Sequence, residues 1–268
     1  VIFDGDRPVV IGHRGAGSGA VHLPGAEDPV VENTVESILG AVRAGASWVE
    51  IDVTRTADDE LVLRHDPTGV DGAFLVDRTA VESGLPRLAD VFEALPPEVA
   101  LDVDVKTILE DAVDPPARRT GALLVPLLRA EARRRPLLVT SFDPSLLLGL
   151  REELGNAVPL GLLTWVRFPL WHAVAAAAGL GMNAVGLHTG SCGIDPPDAR
   201  LRPLDHNVDV AHKAGLEVLA WCPAPADAPR YAAAGVDAMV VNDVPGVIAA
   251  LSSPDPDVPD PAEDAVQD

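Results

Sequence analysis

Eight short apolar runs recur along the chain, at residues 8–11, 47–53, 99–105, 137–140, 158–163, 184–187, 216–221 and 238–241. Between most of them lie Ala- and Leu-rich stretches of helical length, at 34–44, 120–134, 145–154, 170–178, 208–214 and 228–234. A nearly continuous apolar strand is one covered on both faces, and strands that alternate with helices build a parallel sheet clad in helices. Eight such repeats favour a closed TIM (β/α)8 barrel over an open doubly wound sheet, and 268 residues is a length that one barrel commonly uses. The pairs Ala44-Gly45, Ala214-Gly215 and Ala234-Gly235, each just before a strand, read as helix ends closed by glycine. Residues 1–251 are therefore expected to form a single barrel domain. Residues 252–268, Pro-rich and acidic without Lys or Arg, are expected to form a disordered tail.

A ninth apolar run, 60–65, breaks the alternation, because only the polar residues 54–59 separate it from the second strand. No crossover helix fits there. The chain must turn near 57–59 and return antiparallel as a hairpin above the barrel mouth, which brings His65 back toward Asp52.

Barrel enzymes place their chemistry at the C-terminal ends of the strands. Here the first strand ends in His13-Arg14-Gly15, the second in Glu50-x-Asp52, the third in Asp102-x-Asp104-x-Lys106 and the seventh in Trp221. Residues two apart on a strand share a face, so each acidic pair points one way. Buried carboxylates side by side call for a cation. Glu50, Asp52 and Asp104 converging on one mouth fit a hard divalent ion with oxygen ligands, Ca or Mg. The two cysteines, Cys192 and Cys222, lack metal-type or disulfide-framework spacing. Arg14 and Lys106 add positive charge beside the ion, as a phosphate or phosphodiester requires, and the local site is expected to be cationic. His13 and His65 are the natural acid/base pair, with either able to take either role.

These residues resemble the glycerophosphodiester phosphodiesterases, barrel enzymes related to phosphatidylinositol phospholipase C. The resemblance rests on His13-Arg14-Gly15, Glu32-Asn33-Thr34, Glu50-x-Asp52 and His65-Asp66, in order and at similar spacing, and on Thr140-Ser141-Phe142, Trp221, Gly235-Val236-Asp237 and Asn242-Asp243 further on. It implies a metal-dependent barrel that hydrolyses glycerophosphodiesters to glycerol 3-phosphate and an alcohol. It also implies Glu50, Asp52 and Asp104 as metal ligands, His13 and His65 as the acid/base pair, and Arg14, Lys106, Asn33 and Trp221 as substrate contacts. Two features depart from the pattern. Asp104 stands where the family usually has Glu, and loop 17–31, with His22, Glu27 and Asp28, is longer than usual and is expected over the mouth, where it could select the alcohol. The segment after His65-Asp66 is short, which implies an open site, and His188 is a further residue expected near the mouth.

Two other readings compete. One is a phospholipase D-like or lysophospholipid head-group phosphodiesterase, for which Phe74-Leu75 and 168–171 are the apolar candidates; the other is a noncatalytic phosphate-binding barrel, which would need no histidine pair. A formal net charge of −21 argues against nucleic acid as a partner, and no apolar run reaches the roughly 20 residues that span a bilayer, so no stable membrane insertion is expected. Two cysteines without a disulfide framework favour a reducing cytoplasm, with secretion left open because the chain starts at Val1.

Overall fold

The computed structural model describes residues 1–3, 8–23, 27–192 and 202–252. The expected tail lies outside the described residues apart from Ser252. Eight parallel strands form the barrel: β1 (Val9–Gly12), β2 (Trp48–Arg55), β3 (Ala100–Val105), β4 (Leu137–Ser141), β5 (Leu160–Leu163), β6 (Ala184–His188), β7 (Glu217–Trp221) and β8 (Ala238–Val241). Each pairs with the next, β8 pairs with β1, and pairing of Ile11 with Trp48 and Gly12 with Val49 closes the ring. Helices α1 (Val35–Arg43), α2 (Leu88–Ala94), α3 (Thr120–Glu131), α4 (Pro144–Leu154), α5 (Leu170–Gly179), α6 (Leu204–Lys213), α7 (Ala228–Ala233) and α8 (Val244–Ser252) follow the strands in turn. Among the described residues no helix is long and apolar enough to cross a membrane.

Strand alternation sorts the side chains into two cores. On β2 and β3, Val49, Ile51, Val53, Leu101, Val103 and Val105 face outward and pack under the helices. Trp48 and Ala100 face inward with Ile11, Leu138 and Leu219, filling the lower half of the barrel, and Phe3 plugs it from below with its ring 5.2 Å from that of Trp48. The inward face continues upward in matched pairs, Trp48 opposite Ala100, then Glu50 opposite Asp102, then Asp52 opposite Asp104. One parity therefore sets both the apolar floor and the acidic mouth.

The expected hairpin forms. Strand Leu61–Leu63 pairs antiparallel with the end of β2, Val53 opposite Leu63 and Arg55 opposite Leu61, and the Arg64 amide donates to the Asp52 carbonyl at 3.1 Å. The turn is made by Asp59 in the left-handed region (φ 62°), with its carboxylate bonded to Arg55 and Arg118. Gly45, Gly215 and Gly235 also take positive φ just after α1, α6 and α7, as helix-closing glycines do. Two of these eight helices were not read from the sequence. No side chain caps the start of α2, no glycine closes it, and α8 carries Pro245-Gly246 in its first turn. Both bury apolar residues at helical spacing, Leu88, Val91 and Phe92 in α2 and Val244 and Val247 in α8, and Asp243 caps α8 by accepting from Gly246 N–H at 2.9 Å.

Candidate active site

The turn that follows β1 is held in a form few residues tolerate. Arg14 (φ 53°) and Gly15 (φ 97°) are both left-handed, and a Cβ on Gly15 would fall 2.3 Å from Ser37 Oγ, so only glycine fits. Glu50 secures the turn: its backbone carbonyl accepts from Gly15 N–H at 3.2 Å and its Oε2 from Arg14 N–H at 2.8 Å. The next motif divides into three tasks. Glu32 receives the Arg14 guanidinium through both oxygens at 3.1 Å; Asn33, itself left-handed (φ 57°), bonds Asp52; Thr34 caps α1 by accepting from Ser37 N–H. Asn33, expected to touch substrate, uses both ends of its amide on Asp52: Nδ2–H donates to Oδ2 at 2.8 Å and Oδ1 accepts from the Asp52 amide at 2.9 Å.

Glu50, Asp52 and Asp104 each present a carboxylate oxygen within 4.8 Å of the others, and all three are buried. Asp52 lies between Lys106 Nζ, 2.9 Å from Oδ1, and Arg14 Nε, 3.3 Å from Oδ2. Lys106 also bonds Asp104 Oδ2. Asp104 Oδ1 has no hydrogen-bond partner among the described residues. Beneath these groups is a void of ≈ 10 Å³, room for about one water-sized atom, bordered by His13, Glu50, Asp102, Asp104, Thr140 and Trp221. A three-carboxylate oxygen set with one buried lone oxygen fits a hard divalent cation.

The expectation of a cationic site is corrected by this arrangement. Arg14 and Lys106 are outnumbered by Glu32, Glu50, Asp52, Asp102 and Asp104, and both bases are tied to carboxylates rather than open to a phosphate. The carboxyl groups respond to that excess. Burial, reinforced by Asp52 and Asp104, pushes Glu50 well above the usual carboxylate range. Burial also lifts Asp102 to about 8, although its hydrogen bond from Thr140 at 2.8 Å opposes the rise. Asp104 is raised by burial to about 6, against the pull of Lys106. Asp52 alone goes down, because Lys106, Arg14 and Asn33 together outweigh its burial. Lys106 is correspondingly raised, the carboxylates overcoming its own desolvation.

The two histidines have unlike partners. His13 is buried, with Nδ1 2.7 Å from Asn242 Oδ1 and Nε2 4.0 Å from Glu50 Oε2. Asn242 Oδ1 also accepts from Ser18 N–H at 3.0 Å, which identifies it as oxygen. Nδ1 therefore carries a proton, and in the neutral imidazole the lone pair is on Nε2, toward the carboxylates. His65 is more open, and its Nδ1 bonds the Asp66 carboxylate at 2.8 Å, an interaction that lowers Asp66. His65 and Lys106 border a cleft of ≈ 450 Å³ walled on the other side by Phe142, Trp165 and Trp221. Phe142 stacks on Trp165 at 4.2 Å and 22°, and its ring lies 5.5 Å from Lys106 Nζ. Trp221 borders both this cleft and the smaller void, edge-on to His13 at 6.4 Å and His188 at 5.3 Å. His188 stands at the mouth as expected, its Nδ1 accepting from Gly190 N–H at 2.9 Å and its pKa lowered by burial. His22, Glu27 and Asp28 are exposed, and residues 24–26 of their loop lie outside the described residues. The Asn242 clamp and the Phe142–Trp165 wall were not assigned roles from sequence, though Asn242 and Phe142 fall in motifs noted there.

Comparison with known proteins agrees with this geometry. Of the solved structures, a candidate glycerophosphodiester phosphodiesterase from Galdieria sulphuraria superposes with a TM-score of 0.74 at 22% identity, covering 92% of this chain and 98% of that one. A candidate glycerophosphoryl diester phosphodiesterase from Silicibacter pomeroyi gives 0.75 at 22% identity, covering 93% and 95%. A phosphodiesterase from Oleispira antarctica, solved with its product sn-glycerol-3-phosphate, gives 0.70 at 22% identity, covering 92% and 98%. A glycerophosphocholine phosphodiesterase of Candida albicans is 48% identical over 60 residues, a stretch that takes up 22% of this chain and 5% of that longer protein. The family model of the glycerophosphoryl diester phosphodiesterases matches residues 13–245, from the histidine of the first motif to the start of the last helix, and the chain belongs to that family.

Proposed function

We propose that this glycerophosphodiester phosphodiesterase cleaves small glycerophosphodiesters to glycerol 3-phosphate and an alcohol, using one divalent cation and the pair His13 and His65. The observation that supports it most is the buried set Glu50, Asp52 and Asp104, within 4.8 Å of one another, beside Nε2 of His13. These three carboxylates would hold the ion, which when bound supplies Lewis-acid stabilisation of the charge on the phosphoryl oxygens. With Glu50, Asp52 and Asp104 holding the cation, Lys106 and Arg14 would be less bound to carboxylates and would meet the charge of a phosphodiester.

His13 Nε2 takes the proton of the attacking oxygen: with water the product is glycerol 3-phosphate directly, and with the substrate's 2-hydroxyl the cyclic phosphate formed is opened by water in a second step. His65 delivers a proton to the ester oxygen of the alcohol as its bond to phosphorus breaks. Asp66 aligns His65, and its negative charge faces the ring that carries the proton to be given up. The Oleispira enzyme's bound sn-glycerol-3-phosphate is the product expected of this reaction. Choline is the first alcohol to test, because the Candida relative is a glycerophosphocholine enzyme and the wall of Phe142, Trp165 and Trp221 offers ring faces to a quaternary ammonium.

Turnover of glycerophosphocholine should vanish in EDTA and return with either Ca or Mg, and His13→Ala should lose roughly 10²–10⁴ in kcat. Undiminished activity in EDTA would remove the cation from the reading, and a fully active His13→Ala would remove the histidine.

A further inference from the structure

Exposed large apolar side chains are unevenly distributed over this barrel. Trp165 (65% exposed) and Phe168 (38%) lie on the loop after β5, Trp171 (52%) in the first turn of α5, Leu109 (86%) and Val113 (84%) on the segment after β3, and Phe74 (55%) on the loop that begins with His65. All belong to segments that follow strand ends at the mouth. Among the described residues, the comparably exposed large apolar side chains away from the mouth are Val1, Val81, Leu148 and Val210, each alone on its own element. The ridge after β5 is continuous. The Phe168 amide donates to the Trp165 carbonyl at 3.0 Å, and His172 bridges the rings of Phe168 and Trp171 at 6.5 and 5.8 Å. It is also continuous with the cleft, since Trp165 stacks on Phe142 inside it, and Ile108, adjacent to Leu109, forms part of the cleft's lining.

We propose that this apolar rim docks the barrel mouth onto the surface of a zwitterionic lipid aggregate. Three observations select that occupant. The side chains form a rim on three separate segments around an open cleft, so a flat, deformable surface can meet them together. Two tryptophans and a phenylalanine are residues that settle at the boundary of water and hydrocarbon. A net charge of −21 repels an anionic surface, which leaves a zwitterionic one. Contact is peripheral, because no helix among the described residues can span a bilayer. Docking of this kind holds whichever diester the site cleaves, and it delivers the cleft to diesters released at that surface.

The test compares the full chain with the triple variant Leu109→Ser, Phe168→Ser, Trp171→Ser, which leaves the cleft lining intact. Vesicles of phosphatidylcholine and of phosphatidylglycerol are the probes, read by co-sedimentation and by tryptophan emission. Wild type should partition onto phosphatidylcholine vesicles at least tenfold more strongly than the variant, with a blue-shifted emission and little change between 0.1 and 1 M NaCl. The variant should keep its hydrolysis of soluble glycerophosphocholine within twofold and its circular dichroism spectrum, which separates loss of docking from loss of fold. No vesicle binding by wild type, equal binding by the variant, or salt-sensitive binding confined to phosphatidylglycerol would each overturn the proposal. So would a concentration-dependent dimer, seen by light scattering and abolished in the variant, since the rim would then be covered by a second copy. Absence of glycerophosphocholine hydrolysis in wild type bears on the catalytic reading and leaves the vesicle result intact.

Discussion

In the proposed mechanism, Asn242 determines which nitrogen of His13 acts. Its Oδ1 accepts from both Ser18 N–H and His13 Nδ1–H, so the imidazole is left with its lone pair on the side of Glu50. Partners of this kind fix the tautomer of a reacting histidine, and their removal typically costs about 10–100-fold. Asn242→Ala should therefore lower kcat for glycerophosphocholine by roughly that factor while KM and cation affinity change little; a kcat within twofold of wild type would show that the tautomer needs no such support. Asp104 makes the complementary case for the cation. With its Oδ1 unpartnered, Asp104→Asn replaces one of three charged ligands by a neutral one without changing the shape. Calcium or magnesium affinity, measured by calorimetry, should fall by at least about tenfold. An unchanged affinity would place the ion elsewhere.

The elements carry these residues to one point, and the β1–α1 turn is the tightest of them. At Gly15 the backbone is left-handed and the space for a Cβ is already filled by Ser37. Gly15→Ala should destabilise the fold by about 2 kcal/mol or more, from strain at positive φ and the clash together, and should lower kcat because His13 and Arg14 move with the turn. Urea unfolding and turnover of the same variant measure both. Parity made much of this site legible in the sequence: two-residue spacing in Glu50-x-Asp52 and Asp102-x-Asp104-x-Lys106 determines which side chains share the inward face, and a connection too short for a helix forces the hairpin that returns His65. What spacing does not encode is partnership between distant segments. That Arg14 and Lys106 would turn to carboxylates, that Asn33 would be used on Asp52, and that Phe142 would stack on Trp165 depend on distances set by the closed barrel. Helices α2 and α8 carry the helical signal only over seven and nine residues, Leu88, Val91 and Phe92 in one and Val244 and Val247 in the other, and in α8 Pro245-Gly246 interrupts it in the first turn.

Taken as a whole, the molecule gathers more acidic groups at its mouth than Arg14 and Lys106 can pair with. Burial holds Asp102 at about 8 and Asp104 at about 6, and Glu50 well above its usual range, so the folded chain keeps protons that the unfolded chain releases near pH 4. That contribution to stability is fully present below about pH 4 and is lost as pH rises through about 6 and then about 8. Asp52, held low, has the opposite sign, but its window lies below about pH 4 and does not reach this range. A divalent ion binds the ionised carboxylates, so its affinity rises over the same interval in which the metal-free fold loses stability. The gain in Tm on adding Ca or Mg over EDTA should therefore grow steadily from pH 5 to pH 8. At an ion concentration about a hundredfold above Kd it should reach roughly 5–10 °C at the upper end. Taking the difference between the two conditions cancels the titration of the many surface acids. Asp102→Asn removes one of the buried carboxyls and should flatten the pH dependence measured in EDTA. A Tm gain that stays constant across the range, or an EDTA curve that rises with pH, would mean that the carboxylates at the mouth are not the groups that govern it.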